Sequence, residues 1–233
     1  MGTQEDLDVR PAYYALERGG WRDYVTLLHL PYTVWNVAYV ALGAGLAPHF
    51  HLDRMLWGMA AFFLALGVAA HALDELNGRP LQTQIPSPVL VALAATALGG
   101  ALAIGIGASI AWGYGLLVFV AIGGIVVPVY NLELLGGVIH NELGLALSWG
   151  GLTVLSGYWV EAQTLRADAI GAAAYGTLMI VAQRTLSTPV RKARRELGDA
   201  ASVAPLERTL RLLALGNILL GAAVVASRLR WLR

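Results

Sequence analysis

Long apolar runs alternate with short clusters of polar and charged residues along this chain. A helix needs about 20 mostly apolar residues to cross roughly 30 Å of hydrocarbon. The pattern predicts about seven such spans. The first runs from Val25 to Ala47 and stops at Pro48, and the second runs from Met55 to Leu76. The stretch from Val89 to Tyr130 is too long for one span and divides near Gly107 to Gly113, where Gly, Ser and Trp cluster. The fifth covers Leu143 to Val160, the sixth Ala169 to Ser187 and the seventh Leu206 to Ala226. Ser87-Pro88 opens the third span with an N-cap and a first-turn proline, Asn141-Glu142 opens the fifth and Asp168 the sixth. The fold class is therefore all-α, a polytopic transmembrane helix bundle over residues 25–227. Residues 1–24 form an N-terminal segment in which Pro11 to Tyr24 suits a short interfacial helix, and 228–233 form a basic tail.

Composition agrees. Of 233 residues, 57% are hydrophobic and 13% charged, about half the charge a soluble domain carries. Mean hydropathy is +0.61. Apolar content this high excludes a disordered chain. Sixteen basic residues face 15 acidic ones, which does not indicate a nucleic-acid partner. There is no cysteine, which excludes disulfides, thiolate zinc sites and a cysteine nucleophile. The first 24 residues mix acids and arginines and show no apolar core of a signal peptide. Glycine pairs at Gly99-Gly100, Gly123-Gly124 and Gly150-Gly151 lie inside apolar runs, where small residues let helices approach closely.

Basic residues favour the cytoplasmic side of short loops. With seven spans, the side of the N-terminus holds ten basic residues and the other side five, which predicts a cytoplasmic N-terminus. The arginines of the C-terminal tail pull the other way. On this topology the unusual polar residues gather at the cytoplasmic end of the bundle. They are His71, Asp74, Glu75, Asn77 and Arg79 after the second span, then Tyr130, Asn131, Glu133, His140, Asn141 and Glu142 after the fourth. Gln183, Arg184 and the basic run from Arg191 to Arg195 follow the sixth. Three connections on one side suit one polar mouth.

His71 shares a helix face with Asp74 and Glu75, three and four residues on. Ionisable residues inside a span are costly and point to function. They suit a divalent cation, with a phosphate behind it. The second reading is a polar cap at the water boundary, paired with Arg79. Glu133 and His140 are a second acid and imidazole, either further ligands or a solvated loop. Glu142 is explained by the dipole of the helix it opens. The run Arg191 to Arg195 reads first as a topology signal or lipid-headgroup contact and second as a diphosphate site. Arg184, beside Gln183 and nearer the apolar run, is the better phosphate candidate. Asn36 and Gln163 are isolated polar residues. His49, His51 and Asp53 read as surface at the opposite end. The tryptophans mostly sit near span ends as an aromatic belt, although Trp149, Tyr158 and Trp159 also suit an isoprenoid or quinone channel.

The segment AAHALDELNGRPL resembles the first acid-rich motif of the UbiA superfamily of membrane prenyltransferases, which has the form N-D-x-x-D followed by R-P-L. His71-Ala-Leu-Asp74 takes the D-x-x-D spacing, and Arg79-Pro80-Leu81 follows. LLHLPYTVWNVAYVALGAGLA is similar to the family's first helix. YNLELLGGVIHNELGLALSWGGLTVLSGYW is similar to the region from the end of its fourth helix through its fifth. AQRTLSTPVRKARRELG falls where its second acid-rich motif belongs. The resemblance covers Leu27 to Gly198, stronger in layout than in exact motif. His71 stands where an Asp is expected and Ala70 where an Asn is expected. Thr185, Ser187, Thr188 and Arg191 occupy the second motif, with no carboxylate before Glu196. The family usually has nine spans.

The resemblance implies a UbiA-like integral membrane protein that binds or processes a polyprenyl diphosphate or related isoprenoid lipid at the cytoplasmic mouth. Asp74 and Glu75 would hold Mg2+, with His71 as a further ligand or base. Arg79, Arg184, Arg191 and Asn77 would hold the diphosphate, and Tyr130, Asn131, Glu133, His140 and Gln183 would line the mouth. Two alternatives remain. One is a lipid- or quinone-modifying enzyme using Fe, Mn or Zn on His and carboxylate ligands. The other is a non-catalytic lipid-binding subunit. A midplane transporter site is disfavoured because the polar residues gather at one end. A retinal protein is disfavoured because the one lysine, Lys192, lies in the basic run.

Overall fold

The computed structural model describes residues 10–230. Among them every regular element is a helix. In chain order these are α1 (Trp21–Leu27) and α2 (Leu30–Leu46), then α3 (Leu52–Leu76) and α4 (Ser87–Trp112). They continue with α5 (Leu116–Asn131) and α6 (Glu142–Ala162), and end with α7 (Ala167–Glu196) and α8 (Ala204–Arg230). A short 3-10 turn, Leu135–Gly137, lies between α5 and α6.

Helices stand at all seven predicted places, but their lengths change the span count. Four of them, α3, α4, α6 and α8, are long and apolar enough to cross a membrane. The pair α1 and α2, bent by 44° at His29, makes a fifth if taken as one span. Helix α5 is apolar but has only 16 residues. Helix α7 is long enough, yet it carries Gln183 and Arg184 inside the predicted sixth span. The long helices fit a multi-pass membrane protein with four or five such spans, not the seven expected.

The break expected between Gly107 and Gly113 falls at Gly113, whose φ of 141° is open to glycine and not to other residues. Three other boundaries moved. Pro11 to Gly20 is turns and irregular chain and not an interfacial helix, so helix begins only at Trp21. Helix α7 runs through Pro189 and includes the basic run that was expected in a loop. The predicted tail also begins inside α8, while 1–9 and 231–233 lie outside the described residues.

Helix α2 is the hub, packed against α3, α6, α7 and α8. Its approach to α6 depends on two glycines. A Cβ at Gly43 would strike the Val154 carbonyl, and one at Gly157 would strike the Val40 carbonyl. Trp35, Tyr39 and Leu42 of α2 then form one core with Ala146 and Val154 of α6, Ala173 and Ile180 of α7 and Ala214 of α8. Burial ranks the helices: 56% of the α6 span is buried, against 22% for α4 and for α8. The outer helices expose Ile106, Ile110, Leu215 and Leu219, as lipid contact requires. Gly150 packs on Gly176, Gly100 on Leu64 and Gly124 on Leu102 as the pairs predicted, while Gly99 and Gly123 meet nothing.

Two helices contain π-helical turns, Phe63–Ala70 in α3 and Ala146–Gly151 in α6. Such wide turns occur often at functional sites. The opposite end of the bundle is closed by separate contacts. The backbone N and ring Nδ1 of His51 both lie 2.9 Å from the buried Glu161 carboxylate. Arg228 donates to the carbonyls of Ala47 and Pro48 at 2.8 and 3.0 Å. His51, read as plain surface, is thus a structural partner.

Replacing Gly157 by Val is expected to lower stability by roughly 2 kcal/mol or more, because the new side chain must enter backbone. A fall of the thermal midpoint in detergent checks this. Gly171→Ala, at a position that meets nothing, is the control and should leave the midpoint unchanged or raised.

Candidate functional site

Helix α7 supplies the site's charge. Arg184, Ser187, Arg191 and Arg195 recur at intervals of three and four and so form one stripe along the helix. That stripe lines a cavity of about 320 Å³ at one end of the bundle. The other walls come from Tyr13 and Tyr14 of the N-terminal segment, Tyr32 and Asn36 of α2, and His71 and Asp74 of α3. Tyr130 and Asn131 of α5, His140, and Trp149 of α6 complete it. Among the described residues its lining holds three arginines and a single carboxylate, Asp74.

The basic run is divided by helical geometry. Arg191 and Arg195 line the cavity. Arg194, on another face, pairs with the carboxylate of Glu207 on α8 and donates to the Arg10 carbonyl at 3.2 Å. Lys192 is exposed. Arg191 also reaches the hydroxyls of Ser187 and Thr188, both at 3.3 Å. Burial, then repulsion from Arg184 and Arg195, pushes the Arg191 guanidinium below its ordinary range. Excess positive charge of this kind favours an anion.

The imidazoles are held firmly. His71 Nδ1 donates to the Gly67 carbonyl at 3.1 Å, inside the π-helical turn, which leaves Nε2 as the ring's acceptor. His29 stacks on His71 with centroids 4.0 Å apart and planes 11° from parallel. Its Nδ1 lies 2.9 Å from the Tyr14 hydroxyl. Burial, then the neighbouring Tyr32, pushes the Tyr14 phenol upward, so it remains a neutral donor. His140 Nδ1 donates to the Tyr130 carbonyl at 2.9 Å. Five buried polar atoms of the lining lack any partner among the described residues: Tyr13 Oη, His29 Nε2, Trp35 Nε1, Asn36 Oδ1 and Tyr130 Oη. Unsatisfied buried polar atoms are uncommon and mark a place for water or ligand.

The structure therefore brings together His71, Asp74, Tyr130, Asn131, His140, Gln183, Arg184 and Arg191. It separates four other expected site residues. Glu75 is buried, and its carboxylate accepts from the backbone N–H groups of Leu81 and Thr83 at 2.9 and 2.8 Å. It also accepts from the Thr83 hydroxyl at 2.9 Å. It fastens the loop after α3 and is not a cavity ligand. Arg79 donates to the carbonyls of Thr83 and Ile85 and to the Ser87 hydroxyl, within that same loop. Asn77 donates to the Asn131 carbonyl and to Glu133, and Glu133 is exposed. Adjacent acids on a helix point about 100° apart, so Asp74 faces the cavity while Glu75 faces the loop.

The expected metal cluster of His71, Asp74 and Glu75 does not form. Among the described residues no three His, Asp or Glu side chains converge as metal ligands. The same observation gives no support to a transition-metal site. Conversely, His29, Tyr14 and Tyr32 were missed as lining. His29 had a signal, being a histidine inside an apolar run two residues before Pro31. It occupies the left-handed region, with φ and ψ both 45°, at the bend between α1 and α2. Of the aromatic channel candidates, Trp149 lines the cavity, while Tyr158 is fully buried and bonds Asp168 at 3.0 Å.

Comparison with protein-family models, curated proteins and solved structures found no match. The likeness to UbiA proteins rests on the residues quoted above.

Glu75→Ala is expected to lower stability by roughly 3 kcal/mol, because three bonds to a charged acceptor are lost. Its thermal midpoint in detergent should fall clearly. Ligand affinity of the folded protein should change less than for any cavity arginine variant.

Proposed function

We propose that this chain is an integral membrane protein that binds and processes an amphiphile with a phosphate-type anionic head and an isoprenoid-like tail. The observation carrying this reading is the adjacency of two cavities of opposite character. Trp149 lines both the arginine-rich cavity and an apolar groove of about 110 Å³ between α3, α4, α5 and α6. Phe62, Leu66, Leu102 and Phe119 line that groove. A head with paired phosphate oxygens suits the guanidinium forks, and a hydrocarbon chain suits the groove. A polyprenyl diphosphate has both parts, and the layout likeness to UbiA prenyltransferases supports the same substrate class. The excess of basic residues at this end supports a cytoplasmic mouth.

His71 supports processing and not storage alone. Its fixed tautomer offers Nε2 as a proton acceptor within the cavity that takes the head. Departure of diphosphate leaves an electron-poor allylic carbon, and the arginines stabilise the charge that leaves.

The test compares three ligands on purified protein in detergent: geranylgeranyl diphosphate, inorganic pyrophosphate and geranylgeraniol. The intact amphiphile should bind at least tenfold more tightly than either half. Equal affinity for pyrophosphate would sink the lipid part of the proposal, and equal affinity for the alcohol would sink the anionic part. Gly123→Leu places a side chain in the groove at a position where a Cβ meets nothing. It should weaken the diphosphate lipid several-fold and leave pyrophosphate unchanged.

A further inference from the structure

We infer that the arginines hold the anionic head directly, without a bridging divalent cation, and that Asp74 is a built-in counter-charge that opposes the head. This rests on the anionic-head reading above and concerns how that head is held. The UbiA likeness implies Mg2+ held between two acid-rich motifs. The side chains here do not suit that ion. Mg2+ demands near-octahedral oxygen ligands, normally including one or two carboxylates with substrate oxygens and water. Among the described residues the cavity offers Asp74 alone. Glu75 spends both oxygens on the loop after α3, and Glu133 is exposed and bonded to Asn77. A dication at Asp74 would also stand among three guanidinium groups, which repel it.

The arginines, by contrast, are available. Among the described residues no hydrogen bond or ion pair engages the guanidinium of Arg184 or Arg195, and Arg191 holds only two hydroxyls at 3.3 Å. Asp74 lines the same cavity as Arg184, Arg191 and Arg195. Yet no carboxylate–guanidinium pair within 4.0 Å forms between Asp74 and these arginines. Asp74 thus balances part of the cavity's charge without occupying the forks. An arriving diphosphate has the same sign as Asp74 and competes with it for the same field. Removing the Asp74 charge therefore strengthens binding. A metal ligand at that position has the opposite sign of effect, and this difference separates the two mechanisms.

The experiment titrates geranylgeranyl diphosphate into full-length protein in detergent, once with EDTA and once with excess Mg2+. Binding is expected in EDTA, with an affinity that Mg2+ changes by less than about threefold, since diphosphate partly pairs with free Mg2+ in solution. Asp74→Asn should tighten binding by about tenfold, the effect of removing one like charge. Arg191→Gln should weaken it roughly 10- to 100-fold. Arg195→Gln, at an exposed position, serves the same purpose if Arg191→Gln fails to fold. Binding only in Mg2+, lost in Asp74→Asn with an unchanged thermal midpoint, would overturn direct recognition and leave the anionic-head reading standing. No binding by the intact protein in either buffer would overturn that reading, and this inference with it.

Discussion

The close crossing of α2 and α6 governs the rest of the molecule. Neither Gly43 nor Gly157 can carry a Cβ, because each would enter the other helix's backbone. In a bundle surrounded by lipid, burial from water does not draw helices together, so association depends on contact area and fit. Two missing side chains bring the backbones together and bury Tyr39, Val154 and Tyr158 completely. That contact fixes where α2 stands. Helix α2 in turn carries Tyr32, Trp35 and Asn36 to the cavity. The geometry of the polar end is therefore inherited from an apolar seam in the middle of the bundle.

At that end, neighbouring residues divide the work between structure and chemistry. Glu75 has every bond it needs and secures a loop, whereas Asp74, one residue away, faces open space among cations. Arg194 is tied to Glu207, whereas Arg195 beside it lines the cavity. A side chain whose hydrogen bonds are complete has little left for a ligand. Five of the eight buried polar atoms without a partner among the described residues, including His29 Nε2, Asn36 Oδ1 and Tyr130 Oη, belong to this one cavity. Incomplete polar pairing, more than residue type, distinguishes the site from the charged groups around it.

The positions of the helices and the gathering of polar residues at one end were legible in the sequence. Both follow from the length of apolar runs, which the bilayer constrains strongly. The course of the chain at prolines and glycines was less legible. Pro189 suggests an end to α7, because it lacks an N–H and crowds the carbonyl four residues earlier. The helix nevertheless continues, and Arg191 and Arg195 come into line with Arg184. Read as a loop, those same arginines had no common face. His29 was overlooked because nothing local shows that it stacks on a residue 42 positions away.

By itself the sequence determined an all-helical, strongly apolar chain with its ionisable groups concentrated after the second, fourth and sixth apolar runs. Partition between hydrocarbon and water acts on composition, and composition is local. Only the tertiary structure decided which of those groups share a cavity. That depends on helix phase and on contacts between distant segments, such as the N-terminal Tyr14 against His29 and α7 against α6. A rotation of about 100° separates one residue from the next on a helix. The same short motif can therefore place one acid in a binding cavity and its neighbour in a loop, and only packing fixes which.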